Sequence, residues 1–441
     1  MQLLRGAKRD LLLVCIAVVS LQFAFLGVTS HFYNLHGSSL EARVGSQDAS
    51  QYIALAHSML QGTFGSGTTL EEFRTPGYPA FAALVLVISG GTFFSLVLAQ
   101  IIIAAGIALL GYILARSLNI GRAVSTCIAV LAGASPAMLL ATMGAMGVDM
   151  LYTLLTLAAL VLIFRLERAP RAVALGMGLL LGAAVLVRPI GLYASLPVLF
   201  AIPLFIPAAL AKRLAAFALA CAVFAAAIVP WMWHNYSVAG RFSLSSVATY
   251  NIVYYNLPYF LVNKYGTSVD DERAKLLQPL TSTPTDELRN FKYAGALRSI
   301  ASDTLKKEGF VSYGVFHVER MDSFFLSSSV NVLNAVLTAG ISDSVSTSLK
   351  PFILAERGGW ALLFLLAFAS PFLARGRERI FLSLAVVLIF ANAFLTSPVS
   401  QPRYRLPVEA LVFTAAFYCA SAIAERLRRQ QPLKRVDMTL R

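Results

Sequence analysis

The sequence predicts an all-α polytopic membrane protein with about ten transmembrane helices. Its 441 residues are 58% hydrophobic and only 13% charged, about half the charged share of a soluble domain. The apolar residues fall into long runs with short basic loops between them. Mean hydropathy is +0.71. The core of such a chain forms between helices inside the bilayer.

Ten runs can cross. They are 11–29, 92–114, 123–141, 150–164, 172–187, 190–207, 214–233, 359–374, 380–396 and 407–423. Arg5, Lys8 and Arg9 precede the first. That pattern also begins a signal peptide, but the run is long for one and no A-x-A-like site follows. It is read as an uncleaved helix. The run 78–89 is short and ends at Gly90-Gly91. Counted as a crossing, it would place the basic loops around Arg116 and Arg165 outside. Read as an interfacial helix, it keeps every basic loop in the cytoplasm. The second reading is adopted.

The +14 net charge then has a location. The cytoplasmic ends hold more than half of the Lys and Arg and under a quarter of the acids, as the positive-inside rule expects. A nucleic-acid partner is therefore not implied. Both termini are expected in the cytoplasm. Three blocks follow: a transmembrane module 1–233 with a first outer loop at 30–91, an outer loop region 234–358 of mixed structure, and transmembrane helices with a tail at 359–441. Thr285-Asp286-Glu287 is expected to open a helix in the large loop. Cys15, Cys127, Cys221 and Cys419 all lie in apolar runs. Neither a disulfide framework nor metal-ligand spacing is visible, and no cofactor is implied.

The candidate functional residues lie outside the runs. Asp48 opens a stretch in which Ile53, Ala56, Met59 and Leu60 share one face. It is either a helix cap or a carboxylate that takes a proton from an acceptor hydroxyl. His57 lies off the apolar face. Arg74, in Arg-Thr-Pro-Gly-Tyr-Pro with Tyr78, can hold a phosphate through paired donors or snorkel to lipid headgroups. Asp149 opens the fourth run as a cap or a site acid. Arg188 precedes Pro189 between two apolar runs, where an ionisable side chain is a functional candidate by default. Trp231, Trp233 and Tyr236 read as an interfacial anchor, with His234 and Asn235 at substrate height. Arg403 and Arg405 flank Tyr404 on the outer side, against the charge rule. An anionic ligand or a salt bridge to Glu409 explains them equally.

In their order along the chain these segments resemble the polytopic C-type glycosyltransferases that use lipid-phosphate sugars. The likeness is greatest to bacterial relatives of protein O-mannosyltransferases and aminoarabinose transferases. It rests on Asp48, Tyr52, Ala56 and Gly62; Arg74 to Pro79; Leu179 to Pro189; Pro230 to Tyr236 with Asn251 and Asn256; and Arg403 to Pro407. It covers about 45–260 and 396–410. His234 stands where the family usually has Arg, and Asp149 where Glu is commoner.

The resemblance implies a donor of polyprenyl-phosphate-linked sugar, with Asp48 as general base and Arg403 or Arg405 on the donor phosphate. Its carry-over to Arg74, Asp149 and Arg188 is weaker. It leaves the sugar and acceptor open. The expected location is a bacterial inner membrane, with the site on the periplasmic face among membrane lipids. A flippase or transporter, a lipid-linked glycan ligase or polymerase, and a scaffold without catalysis are the rival readings.

Overall fold

The computed structural model describes residues 8–32, 47–91, 93–143, 147–330 and 349–430. All regular structure among them is helical. The protein is an all-α polytopic membrane protein. The expected Asp48 helix and most of both outer regions are described; 33–46 and 331–348 lie outside the described residues, as do both chain ends.

The helices are α1 (Lys8–Phe32), α2 (Gln47–Leu60), α3 (Thr69–Phe73), α4 (Gly77–Ser89), α5 (Phe93–Ser117), α6 (Arg122–Ala134), α7 (Pro136–Met143), α8 (Gly147–Leu162), α9 (Pro170–Val187), α10 (Gly191–Ala201) and α11 (Leu210–Ala239). The region 234–358 adds α12 (Val247–Asn251), α13 (Leu257–Tyr265), α14 (Val269–Leu276), α15 (Phe291–Glu308), α16 (Phe310–Glu319) and α17 (Asp322–Leu326). The chain closes with α18 (Lys350–Leu373), α19 (Gly376–Thr396) and α20 (Leu406–Gln430).

Eight of these are long and apolar enough to cross a membrane: α1, α5, α8, α9, α11, α18, α19 and α20. The run expected at 123–141 is α6 and α7, bent by 41° at Ser135. Counted as one span, this pair makes up to nine among the described residues. The expected run 190–207 is α10 with a 3-10 turn, Ile202–Phe205, and is shorter than a usual span. Pro197 and Pro203 interrupt its ladder, since proline has no N–H to donate. It still joins the two ends of the bundle. The Gly191 amide donates to the Arg188 carbonyl at 2.9 Å, while the Phe205 ring lies beneath Arg377 at 5.8 Å.

Contacts define those ends. At one, Asp10 meets Arg122 and Tyr112, Arg377 meets Glu167, and Glu378 meets Asn119 and Tyr418. This end gathers the basic loops. At the other, α2, α3 and the first turns of α8 and α20 converge on Asp48 and Arg188.

Helix α4 is shorter than a usual span and lies aslant α5. Tyr78 at its start faces Gln100 of α5, and Ser89 at its end bonds Ser95 of α5 at 2.7 Å. The two points are about 16 Å apart along α4 but about 8 Å along α5, at 1.5 Å per residue. The helix therefore lies across the end of the bundle. Its buried face, Ala82, Ala83 and Leu86, packs on Ala56 of α2, with Ile53 and Met59 beside it. Leu60, expected on that face, is 44% exposed.

The large outer region was expected to be of mixed structure. Where described, it is a helical cluster. Its core joins Val253, Leu257, Phe260 and Leu261 to Leu297, Ala301 and Phe316. Helix α15 starts at Asn290, whose side chain accepts from the Lys292 amide at 2.8 Å. The expected cap at Thr285 instead precedes a single 3-10 turn, Glu287–Arg289, closed by an Arg289–Asp286 pair.

Candidate functional site

Asp48 sits in the first turn of α2, where the helix dipole favours a carboxylate. Its two oxygens go to two arginines distant in sequence. Arg74 Nη2 lies 2.5 Å from Oδ1, and Arg403 Nη1 lies 3.2 Å from Oδ2. Burial works against the charged form. The two guanidinium groups outweigh it and hold Asp48 below the usual carboxylate range.

Arg74 is placed by the turn before it. Thr68 and Glu71 form a reciprocal cap at the start of α3. The helix stops at Arg74, whose backbone is extended ahead of Thr75-Pro76. Its side chain then packs between the Phe73 and Tyr52 rings, at 4.8 and 4.9 Å. Gln51 Oε1 takes bonds from Nη2 and Nε at 2.7 and 3.0 Å, and the Tyr52 hydroxyl lies 3.5 Å from Nη1. Arg74 is fully engaged by the protein.

Arg403 is less committed. Among the described residues its other hydrogen-bond partner is the Tyr404 hydroxyl, at 3.2 Å, and its buried Nε has none. Tyr404 connects it to the next pair. Arg403 lies 5.0 Å from the Tyr404 ring and Arg188 lies 5.2 Å from it. Arg188 ends α9 in extended backbone, as Pro189 requires of the residue before it. It pairs with Asp149, which is 1% exposed in the first turn of α8.

Five ionisable groups thus meet at one end of the bundle. Three guanidinium groups face two carboxylates, which leaves one positive charge. The arrangement can bind an anion and can accept a proton a few ångströms away.

Behind it lies a hydrogen-bonded wall. Tyr52 and Tyr78 pack edge to face at 5.2 Å, and both are buried. Gln100, oriented so that its nitrogen meets the carbonyls of Ala141 and Thr142, turns its oxygen to the Tyr78 hydroxyl. Gly77 lets α4 touch the end of α9. A Cβ there would stand 2.6 Å from the Leu186 carbonyl carbon.

The remaining candidates do not join this cluster. Arg405 is 0% exposed. Its Nη1 donates to the carbonyls of Phe324 and Ser327, at 3.1 and 2.6 Å, and its Nε lies 3.9 Å from Glu409. It packs on Trp360 at 4.2 Å. The two arginines part because they share a 3-10 turn, Pro402–Arg405. At three residues per turn, positions two apart point about 120° away from each other. His57 is exposed. His234 stacks on Trp231 at 5.0 Å, beside Gly65. Asn235 is buried and ties the carbonyls of Ser243 and Leu244. Trp231, expected as a membrane anchor, is also inside, donating to the Leu244 carbonyl at 2.9 Å. Trp233 and Tyr236 are exposed, as an anchor requires.

Two participants escaped the sequence reading. Gln51 is three residues after Asp48 on the same helical face, a spacing that could have marked it. Tyr404 was visible only as the residue between two arginines. Among the described residues no three His, Cys, Asp or Glu side chains gather to hold a metal ion. No known family model matches the chain, and no curated protein matches it.

Proposed function

We propose that this protein is a membrane glycosyltransferase that moves a sugar from a polyprenyl-phosphate carrier to a hydroxyl acceptor. The observation that carries the reading is Asp48 held between Arg74 and Arg403 in a cluster with one surplus positive charge. A phosphodiester donor brings one negative charge and neutralises it.

In this mechanism Arg403 and Arg188 hold the donor phosphate, and Arg74 positions Asp48. Asp48 takes the proton of the acceptor hydroxyl. The acceptor oxygen attacks the anomeric carbon. The bond from that carbon to the phosphate oxygen breaks, and its electron pair leaves with the polyprenyl phosphate. The guanidinium groups stabilise the charge that develops there. The proton ends on Asp48. No nucleotide is consumed, because the phosphate ester already activates the sugar. The resemblance to lipid-phosphate-dependent transferases supports the same assignment, and the reading expects the site on the periplasmic face of a bacterial inner membrane.

Phosphate and carboxylate compete for Arg403. A base held by two guanidinium groups is weak, and the best catalytic base titrates near the working pH. Donor binding that draws Arg403 away strengthens Asp48 when the acceptor needs it.

A lipid-linked glycan ligase or polymerase would use the same groups on a larger donor. A flippase would need no chemistry at Asp48. The test is transfer by purified protein supplied with radiolabelled polyprenyl-phosphate sugars and candidate acceptors. Asp48→Asn should lower kcat about a hundredfold to ten-thousandfold, the usual worth of a general base. Full transfer by Asp48→Asn would remove the assignment.

A further inference from the structure

The face of α2 that carries Asp48 continues into a cleft. Asp48, Gln51, Leu55 and Ser58 are spaced three, four and three residues apart, so they line one side of the helix. Leu55 and Ser58, with Ala54, form one wall of a cavity of about 210 Å³. The other wall is Thr63, Ser66, Thr68, Leu70 and Glu71. Leu55 lies about 10 Å along the helix from Asp48, at 1.5 Å per residue.

The second wall is built rather than draped. Gly62, Gly65 and Gly67 all have positive φ, at 69°, 99° and 78°, a backbone that side chains with a Cβ resist. Phe64 stacks on Trp231 at 5.8 Å, and Gly67 sits so close to Val238 of α11 that any side chain would strike it. The turn is thus pinned to the end of α11.

The lining offers hydroxyls and one carboxylate, that of Glu71, which disfavours an anionic ligand. Ser58 and Thr63 spend their protons on the carbonyls of Leu55 and Ser58, so their oxygens remain acceptors. The Thr68 oxygen accepts from the Glu71 amide, which leaves its proton to donate. Glu71 is occupied by the amides of Gly67 and Thr68. Acceptors at Ser58 and Thr63 and a donor at Thr68, set beside the apolar Ala54, Leu55 and Leu70, suit a neutral polyhydroxyl chain. A peptide is more often held along a strand edge, and the described residues contain no strand.

We propose that this cleft is the acceptor subsite and that the acceptor is a neutral glycan whose reactive hydroxyl reaches Asp48 while the units behind it lie in the cleft. The inference rests on the transferase reading. Contacts so far from the reacting atoms supply binding energy that a short acceptor lacks.

The experiment uses full-length protein, a radiolabelled polyprenyl-phosphate sugar, and glucose, maltotriose, cellotriose and mannotriose as acceptors. Ser58→Trp and Ser66→Trp fill the cleft; Ser58→Ala and Ser66→Ala control for folding, with thermal unfolding of each. Wild type should use at least one trisaccharide about tenfold better than the monosaccharide, the worth of one or two hydrogen bonds. The Trp variants should lose that preference and keep the slow transfer of the donor sugar to water. Retained preference in folded Trp variants would overturn the subsite. So would a serine-containing peptide that is used in place of every glycan. Donor hydrolysis by wild type without any length preference removes this inference alone. Neither hydrolysis nor transfer removes the transferase reading, and this inference with it.

Discussion

In the proposed mechanism, Asp48 and its two arginines make the chemistry depend on one competition. In the free protein both carboxylate oxygens are engaged, and the paired guanidinium groups hold the acid below its usual range despite burial. A depressed folded value means that the stability it contributes is present above the ordinary carboxylate value of 3.8 and is lost as pH falls through the lower folded value. Activity should follow the same group. The acid limb of kcat/KM, which reports the free enzyme, is expected below 3.8. Arg403→Ala removes one of the two opposing charges and should move that limb to higher pH while raising the donor KM. A pH profile of both proteins checks it, and an unmoved limb would separate Asp48 from the rate. Arg405→Ala should behave oppositely. It strips the charged partner from buried Glu409, which costs about 3–5 kcal/mol in comparable buried pairs, so thermal unfolding should drop sharply while the folded fraction keeps its donor KM. The sequence offered Arg403 and Arg405 as equals. Only the 3-10 turn that bears them decides which one meets Asp48, and nothing in the residue types announces that turn.

The elements that present these side chains are short, and each stops for a local reason. Helix α3 ends at Arg74 before Thr75-Pro76, and α9 ends at Arg188 before Pro189. The second break was legible because proline restricts the residue ahead of it, whereas at Arg74 the proline lies two residues on and only the turn that follows could be read. The short helix α4 was legible from the length of its apolar run and from the Gly90-Gly91 that ends it. The cap of α15 was not, because Thr285 and Asn290 are both acceptable capping residues and the choice depends on Glu72 reaching the Phe291 amide from another part of the chain. The bend at Ser135 went unread although Pro136 follows it and restricts it to the extended backbone it adopts; Ser135 also donates to Glu409 at 2.5 Å, a contact the sequence does not show. Packing between elements gives its own prediction. Gly77→Ala would place a methyl 2.6 Å from the Leu186 backbone, and overpacking of this kind costs about 1–3 kcal/mol. Because α4 begins three residues after Arg74, relief of the clash shifts Arg74 and Tyr78 away from Arg188. Thermal unfolding and turnover should therefore fall together, whereas a stable Gly77→Ala protein with full turnover would show that α4 does not set the site.

At the scale of the molecule, the candidate site depends on two segments between the long apolar helices, distant in the chain and joined beside Asp48. Phe73, which backs Arg74, packs edge-on to Tyr250 at 5.4 Å, and Arg289 lies over both rings at 5.2 and 5.4 Å. Glu72 is the hinge of this junction. Its carboxylate accepts from the Phe291 amide at 2.5 Å, and its carbonyl accepts from the Ser246 amide at 2.9 Å. Burial raises its pKa, the Phe291 amide opposes that rise, and the adjacent Glu71 adds to it. The net direction is upward, so the sign is opposite to that of Asp48. The junction's stability is fully present below the ordinary glutamate value of 4.5 and declines as pH rises through the higher folded value, because the unpaired charge must then stay buried. Glu72→Gln keeps an oxygen for the Phe291 amide but cannot ionise. Thermal unfolding across this window should show wild type losing stability with rising pH relative to Glu72→Gln. Glu72→Ala removes the acceptor altogether and should speed hydrogen exchange at the start of α15 at every pH. If wild type and Glu72→Gln run parallel, the carboxylate is ionised throughout, and the two segments are held by the aromatic contacts around Arg289 instead.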